Sequence, residues 1–153
     1  MQYFPENEQL IEKMNYYSLF VPISIHRFSP FEKGQWPLSS RENVEDHEGN
    51  KYGESFVSRS GGYCWQRYDI GNNYNTLSGT ISISHKYLQD APGHVTIYGD
   101  GQTLYLSPDN DVSIRPTDIS VDITGISVLT IEIYATTNIE ILFSNIMLQR
   151  TAK

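Results

Sequence analysis

Tyr63 and Trp65 stand two residues apart in Tyr63-Cys64-Trp65-Gln66-Arg67-Tyr68-Asp69-Ile70, a stretch with the composition of a β-strand. Side chains alternate across a strand, so Tyr63, Trp65 and Arg67 share one face and Cys64, Gln66, Tyr68 and Ile70 the other. An aromatic ring presented outward can carry a sugar, because axial C–H groups form an apolar patch that meets the negative face of the ring. A second group of suitable residues lies in the loop from Ser84 to His94, which holds His85, Lys86, Tyr87, Gln89 and Asp90. These are hydrogen-bonding groups plus a ring, the chemistry an array of hydroxyls requires. Arg115 follows Ser107-Pro108-Asp109-Asn110-Asp111 and can donate to two vicinal hydroxyls. The candidate ligand-binding residues are therefore Tyr63, Trp65, His85, Tyr87 and Arg115. Each has a plainer explanation beside it. Solvated loops have the same composition, and an outward Trp65 is equally explained by cover from the segment 28–50 or by a partner surface. Trp36 stands in the same position.

Chemistry of other kinds finds little support. No nucleophile elbow, phosphate-cradling glycine loop or His-Glu-x-x-His helix is present. The four histidines, His26, His47, His85 and His94, lack metal-ligand spacing. No pair of carboxylates stands out as a glycosidase dyad, and the chain reads as non-enzymatic. Asp109, Asn110 and Asp111, and also Asp46 and Glu48, offer oxygen ligands for calcium. Neither set has the spacing of a dedicated calcium loop, and turn composition explains both more simply.

Composition narrows the partners. The 153 residues are the length of one domain with a real core. The net charge of −7 repels a phosphate backbone, and no Lys/Arg cluster offsets it, so nucleic acid is excluded as an expected partner. The single cysteine, Cys64, rules out an internal disulfide and reads as a small buried residue. No apolar run is long enough to span a bilayer, and Met1 to Asn7 lack the features of a signal peptide. The chain is expected either to stay inside the cell or to be part of a larger exported protein.

The elements that must position these residues are short strands. Thr80-Ile81-Ser82-Ile83-Ser84, Leu104-Tyr105-Leu106, Val121-Asp122-Ile123, Leu129-Thr130-Ile131-Glu132-Ile133 and Ile139-Glu140-Ile141-Leu142-Phe143 carry the period of two of half-buried strands. Strands that bury one face must stack on another sheet, which predicts an all-β sandwich. Tyr98-Gly99-Asp100-Gly101-Gln102-Thr103-Leu104 marks a hairpin with Asp-Gly at its turn, and Asp122 and Gly125 are expected to end a strand. Glu6 to Tyr17 reads as a short helix, Leu19 to Ile25 as an edge strand because of Pro22, and Phe28 to Asn50 as loop.

Four segments in order resemble the NPCBM group of carbohydrate-binding domains, which includes the family 51 carbohydrate-binding modules. They are Asp46-His47-Glu48-Gly49-Asn50-Lys51-Tyr52, the run from Tyr68 to Ile81 through Gly71-Asn72-Asn73, the run Val95 to Ser107 around Gly99-Asp100-Gly101, and Val121-Asp122-Ile123-Thr124-Gly125 with Leu129-Thr130-Ile131. The resemblance covers residues 46 to 148. It implies a galactose-binding-like β-sandwich of the jelly-roll type, with 1–45 as an N-terminal extension packed on a 46–153 sandwich. It also implies a bacterial, exported domain attached to a glycoside hydrolase or cell-surface protein. A galactose-type or other complex glycan would bind through end-loop residues, with a structural calcium as in many relatives of the fold. The family pattern places Tyr68 and Ile70 inward, which turns Tyr63, Trp65 and Arg67 outward. The alternative is a protein-interaction or structural β-sandwich without sugar binding.

Overall fold

The computed structural model describes residues 21–59, 61–85, 92–109, 115–136 and 139–150. Among them the chain is all-β, with eleven strands and one 3₁₀ turn at Ile25–Arg27. The strands are β1 (Ile23–Ser24), β2 (Glu32–Lys33), β3 (Ser39–Glu45), β4 (Lys51–Val57), β5 (Gly62–Asp69), β6 (Thr76–Ile83), β7 (Gly93–Gly99), β8 (Gln102–Leu106), β9 (Thr117–Asp122), β10 (Val128–Ala135) and β11 (Ile141–Gln149). They form two antiparallel sheets. One runs β3-β4-β11-β6-β9, with β1 also on β11; the other runs β2-β5-β10-β7-β8.

The period of two seen in the sequence is what joins the sheets. Leu77, Ile81 and Ile83 of β6 and Ile141 and Phe143 of β11 meet Cys64 and Tyr68 of β5, Leu129, Ile131 and Ile133 of β10, and Val95 and Ile97 of β7 in one buried cluster. Each such side chain contributes about 1.5–3 kcal/mol of hydrophobic stabilisation. Gln66 is the polar member of the inward row on β5. Its Nε2 donates to the Tyr68 hydroxyl at 2.7 Å, so the buried amide is not left unpaired. Burial pushes the Tyr68 hydroxyl up to about 12.

The β7–β8 hairpin turns on Asp100 and Gly101, both at positive φ (48° and 83°), as a two-residue turn of the primed type requires. The Asp100 carboxylate also accepts the backbone N–H groups of Ser127 and Val128, at 3.2 and 2.8 Å, and ties the hairpin to the start of β10.

The segment expected as loop, 28–50, contains both β2 and β3. Neither strand has an apolar alternation to announce it. β2 is two residues long, and β3 is exposed over Ser39–Asn43 because it lies at the sheet edge. Pairing with β4 from Ser39↔Val57 to Glu45↔Lys51 creates β3. The helix expected at Glu6–Tyr17 lies outside the described residues. Of the expected edge strand, Ile23–Ser24 pairs with β11.

One close approach fixes how β6 and β11 sit. Between Ser144 and Met147 their register shifts, with Asn145 at φ 53°. Phe143 then lies over Gly79, where a Cβ would be 2.6 Å from the ring and 3.2 Å from the Ser144 carbonyl. Gly79→Ala is expected to destabilise the fold by about 1–3 kcal/mol through overpacking. Urea unfolding should show it, with part of the loss recovered in the background of Phe143→Leu.

Candidate functional site

β5 places the site. With Cys64, Gln66 and Tyr68 turned into the core, Tyr63, Trp65 and Arg67 face outward on the five-stranded sheet. Antiparallel partners share a face, so each of these residues begins a row across the sheet. Tyr63 pairs with Tyr134, which pairs with His94; Trp65 pairs with Glu132, which pairs with Thr96; Arg67 pairs with Thr130, which pairs with Tyr98. Glu32 of the edge strand β2 joins the last row through Arg67.

These rows form a groove of about 610 Å³ lined by Phe31, Glu32, Trp65, Arg67, Tyr98, Asp100, Gly101, Val128, Thr130 and Glu132. Trp65 is a wall of it rather than a free platform. The Gly34 backbone presses against its pyrrole ring, where a Cβ would come within 2.5 Å of Nε1, and the Arg67 guanidinium lies 4.6 Å from the ring centroid. Backbone hydrogen bonds from Gly34 N–H to the Trp65 carbonyl and from Trp65 N–H to the Trp36 carbonyl hold the neighbouring chain there. Thus cover from the 28–50 segment and a place in an open groove both apply to Trp65. Phe31, 57% exposed, forms the lip.

The polar groups of the groove are set at close range. Arg67 Nη1 donates to Glu32 Oε2 at 2.7 Å, and the Tyr98 hydroxyl donates to Glu132 Oε1 at 3.3 Å. Burial first, and then the Glu132 carboxylate, push the Tyr98 hydroxyl above its usual value, so it remains a donor at neutral pH. Among the described residues no cation pairs with Glu132. A carboxylate, a phenol and a threonine hydroxyl beside aromatic walls can accept and donate to sugar hydroxyls while a ring face packs.

Of the five candidates from the sequence, Tyr63 and Trp65 share this face. His85 and Arg115 do not. Both are tied to the turn between β3 and β4 in the other sheet, His85 through its backbone N–H and Nδ1 to the Glu45 carbonyl (3.2 and 3.0 Å), and Arg115 through Nε to Glu48 Oε1 at 3.1 Å. Tyr87 lies outside the described residues. Trp36 is exposed, with the Arg59 guanidinium 3.6 Å over its ring. Sequence reasoning missed Phe31, Tyr98, Thr130 and Glu132. The last three alternate with inward Ile97, Leu129, Ile131 and Ile133, so their outward direction was available, but their convergence on Trp65 was not.

Of the carboxylates considered for calcium, Asp46, Glu48 and Asp109 are engaged elsewhere. Asp46 Oδ1 accepts the N–H groups of Glu48 and Asn50, and Oδ2 accepts Asn50 Nδ2 and the Tyr52 hydroxyl at 2.7 Å. That uses the four acceptor positions of a carboxylate. Glu48 is paired with Arg115 and Asp109 with His94, while Asn110 and Asp111 lie outside the described residues. Among the described residues no set of three or more His, Cys, Asp and Glu gathers to hold a metal ion.

The geometry defines a β-sandwich with an open groove of aromatic and polar side chains on one sheet face. The chain belongs to the NPCBM/NEW2 domain family, whose model matches residues 58–142. Solved structures with the same fold are family 51 carbohydrate-binding modules. The CBM51 of Clostridium perfringens GH95 in complex with methyl-galactose is similar at a TM-score of 0.64 and 10% identity, over 84% of this chain and 100% of that one. The tandem CBM51 modules of the Streptococcus pneumoniae family 98 glycoside hydrolase Sp3GH98 give 0.69 and 9%, over 85% and 47%. The structure of the M60 catalytic domain with CBM51-1 and CBM51-2 from Clostridium perfringens ZmpB gives 0.69 and 11%, over 86% of this chain but only 15% of that one. No curated protein matches the sequence.

The Asp46 turn has a testable charge dependence. Burial alone would raise this carboxyl, but the hydrogen bonds from Tyr52, Asn50 and the Glu48 N–H outweigh it and hold the group below its ordinary value of 3.8. A lowered folded-state value means the carboxylate stabilises the fold above that ordinary value and ceases to do so as pH falls through the folded one. Asp46→Asn is expected to cost on the order of 2 kcal/mol at neutral pH, since it removes hydrogen bonds to a buried charge. The gap from the parent protein in denaturant unfolding should close as the pH is lowered below 3.8.

Proposed function

We propose that this chain is a non-catalytic carbohydrate-binding module and that its glycan binds in the groove on the outer face of the five-stranded sheet. The observation that carries the reading is the groove itself, a solvent-facing depression walled by Phe31, Trp65 and Tyr98 and furnished with Glu132, Thr130 and Arg67. Family membership supports it, and so does the methyl-galactose held by a relative of the same fold. A galactose-type sugar or a complex glycan containing one is therefore the first ligand class to test. The groove is preferred to the end loops as the site because it gathers Trp65 with Phe31, Tyr98 and Glu132, whereas His85 and Arg115 are tied to the end of β3 and the turn after it.

Relatives whose solved chains are longer, such as those of Sp3GH98 and ZmpB, support the further proposal that the module works as one part of a larger chain, a glycoside hydrolase or a cell-surface protein. An extracellular or cell-surface location in a bacterium follows as part of the same proposal. No helix among the described residues is long and apolar enough to cross a membrane.

Isothermal titration with methyl-galactose, alongside a glycan array, tests the reading. Trp65→Ala and Glu132→Gln are each expected to weaken binding by about tenfold or more, on the order of 1.4 kcal/mol for one lost wall or hydrogen bond. Loss of binding in His85→Ala or Arg115→Ala, with the two groove variants unaffected, would move the site to the turn after β3 and overturn the groove. No binding of any glycan by the parent protein would leave the face to a protein partner.

A further inference from the structure

The groove is only part of the outward aromatic surface. One row beyond Trp65 and Glu132 lies Tyr63–Tyr134–His94, three rings side by side on adjacent strands. The Tyr63 and Tyr134 centroids are 4.6 Å apart and those of His94 and Tyr134 5.2 Å. His94 Nδ1 is held at 2.9 Å from Asp109 Oδ1, which fixes one end of the row. Tyr63, at the other end, is 53% exposed. Tyr134 and His94 are half-buried, and with Tyr63 they place ring surface where an ordinary outer sheet face would carry polar side chains.

The two features are continuous along the strand direction. Tyr63 and Arg67 are four residues apart on β5, which puts the aromatic row and the far row of the groove about 13 Å from each other at the usual rise of a strand. A pyranose is comparable in size to the ring it stacks on, so one sugar cannot occupy both places. The charge of the strip selects further. Glu32, Asp100 and Glu132 line the groove against the single guanidinium of Arg67, which Glu32 already neutralises, and the whole chain carries −7. Uronic or sialic acids would meet that field unfavourably.

We infer that the sheet face binds an extended, neutral oligosaccharide of at least two linked sugars, with one subsite in the Trp65–Glu132–Tyr98 groove and a second on the Tyr63–Tyr134–His94 row. This inference rests on the proposed glycan-binding function and adds its ligand class. Occupation of the second subsite makes affinity depend on chain length, whereas a single pocket would bind the terminal sugar alone.

Titration of the parent protein with methyl-galactose and with neutral galactose oligosaccharides of two to four units tests it, together with an array carrying neutral, uronic and sialylated glycans. Affinity is expected to rise by about tenfold from the monosaccharide to the longer ligands, the effect of one added aromatic contact. In Tyr63→Ala that length-dependent gain should collapse, and in Tyr63→Phe, which keeps the ring, it should survive. Equal affinity for every length in the parent protein, or an undiminished gain in Tyr63→Ala, would overturn the second subsite while leaving the glycan-binding function standing. Preferred binding of acidic glycans would overturn the neutral class. No binding at any length would overturn both the inference and the function on which it rests.

Discussion

The strict alternation of side chains along β5, β10 and β7 is the constraint on which the rest of the structure depends. Every second residue on these strands is committed to the core, where Cys64, Tyr68, Leu129, Ile131, Ile133, Val95 and Ile97 meet the six-stranded sheet. A slip of one residue would bury Trp65, Arg67 and Glu132 and expose the isoleucines, at a cost of several buried side chains. The core therefore holds the outer face in register as a by-product. Rows such as Trp65–Glu132–Thr96 stay aligned because the isoleucines between them cannot move.

That arrangement separates stability from recognition. The inward face is dry and closely packed, down to the approach of Phe143 over Gly79. The outward face of the five-stranded sheet carries rings and carboxylates that the core does not need. Several buried polar groups are matched to one another: Gln66 with Tyr68, Asp46 with Tyr52 and Asn50, and Ser55 with Ser144 at 2.6 Å. Glu132, by contrast, has a phenol for a neighbour and, among the described residues, no cation, an arrangement with acceptor capacity left for a ligand.

The family's turn motifs acquire physical meaning in the same way. Asp46, Gly49 and Tyr52 act together: the carboxylate closes the turn between β3 and β4, Gly49 takes the φ of 87° there, and the tyrosine hydroxyl completes the carboxylate's hydrogen bonds. Asp100 likewise serves the turn and the start of β10. Asp46, which suggested a cation in the sequence, thus belongs to backbone geometry. The motifs mark the scaffold, and Tyr98, Asp100, Gly101 and Thr130 within them also line the groove.

Local chemistry determined the all-β class, the hairpin at Asp100-Gly101 and the parity of β5, because alternation and positive-φ turns are read over a few residues. It also showed that Tyr63 and Trp65 face away from Tyr68. It did not reveal β3, whose exposed polar residues become a strand only by pairing with β4. Nor did it bring Tyr98, Thr130 and Glu132 to Trp65, or send His85 and Arg115 to a different part of the sandwich. Those placements depend on which strands are neighbours and in what register. Both are settled by the fit of distant apolar faces in the core, so the tertiary structure alone decides what the outer face presents.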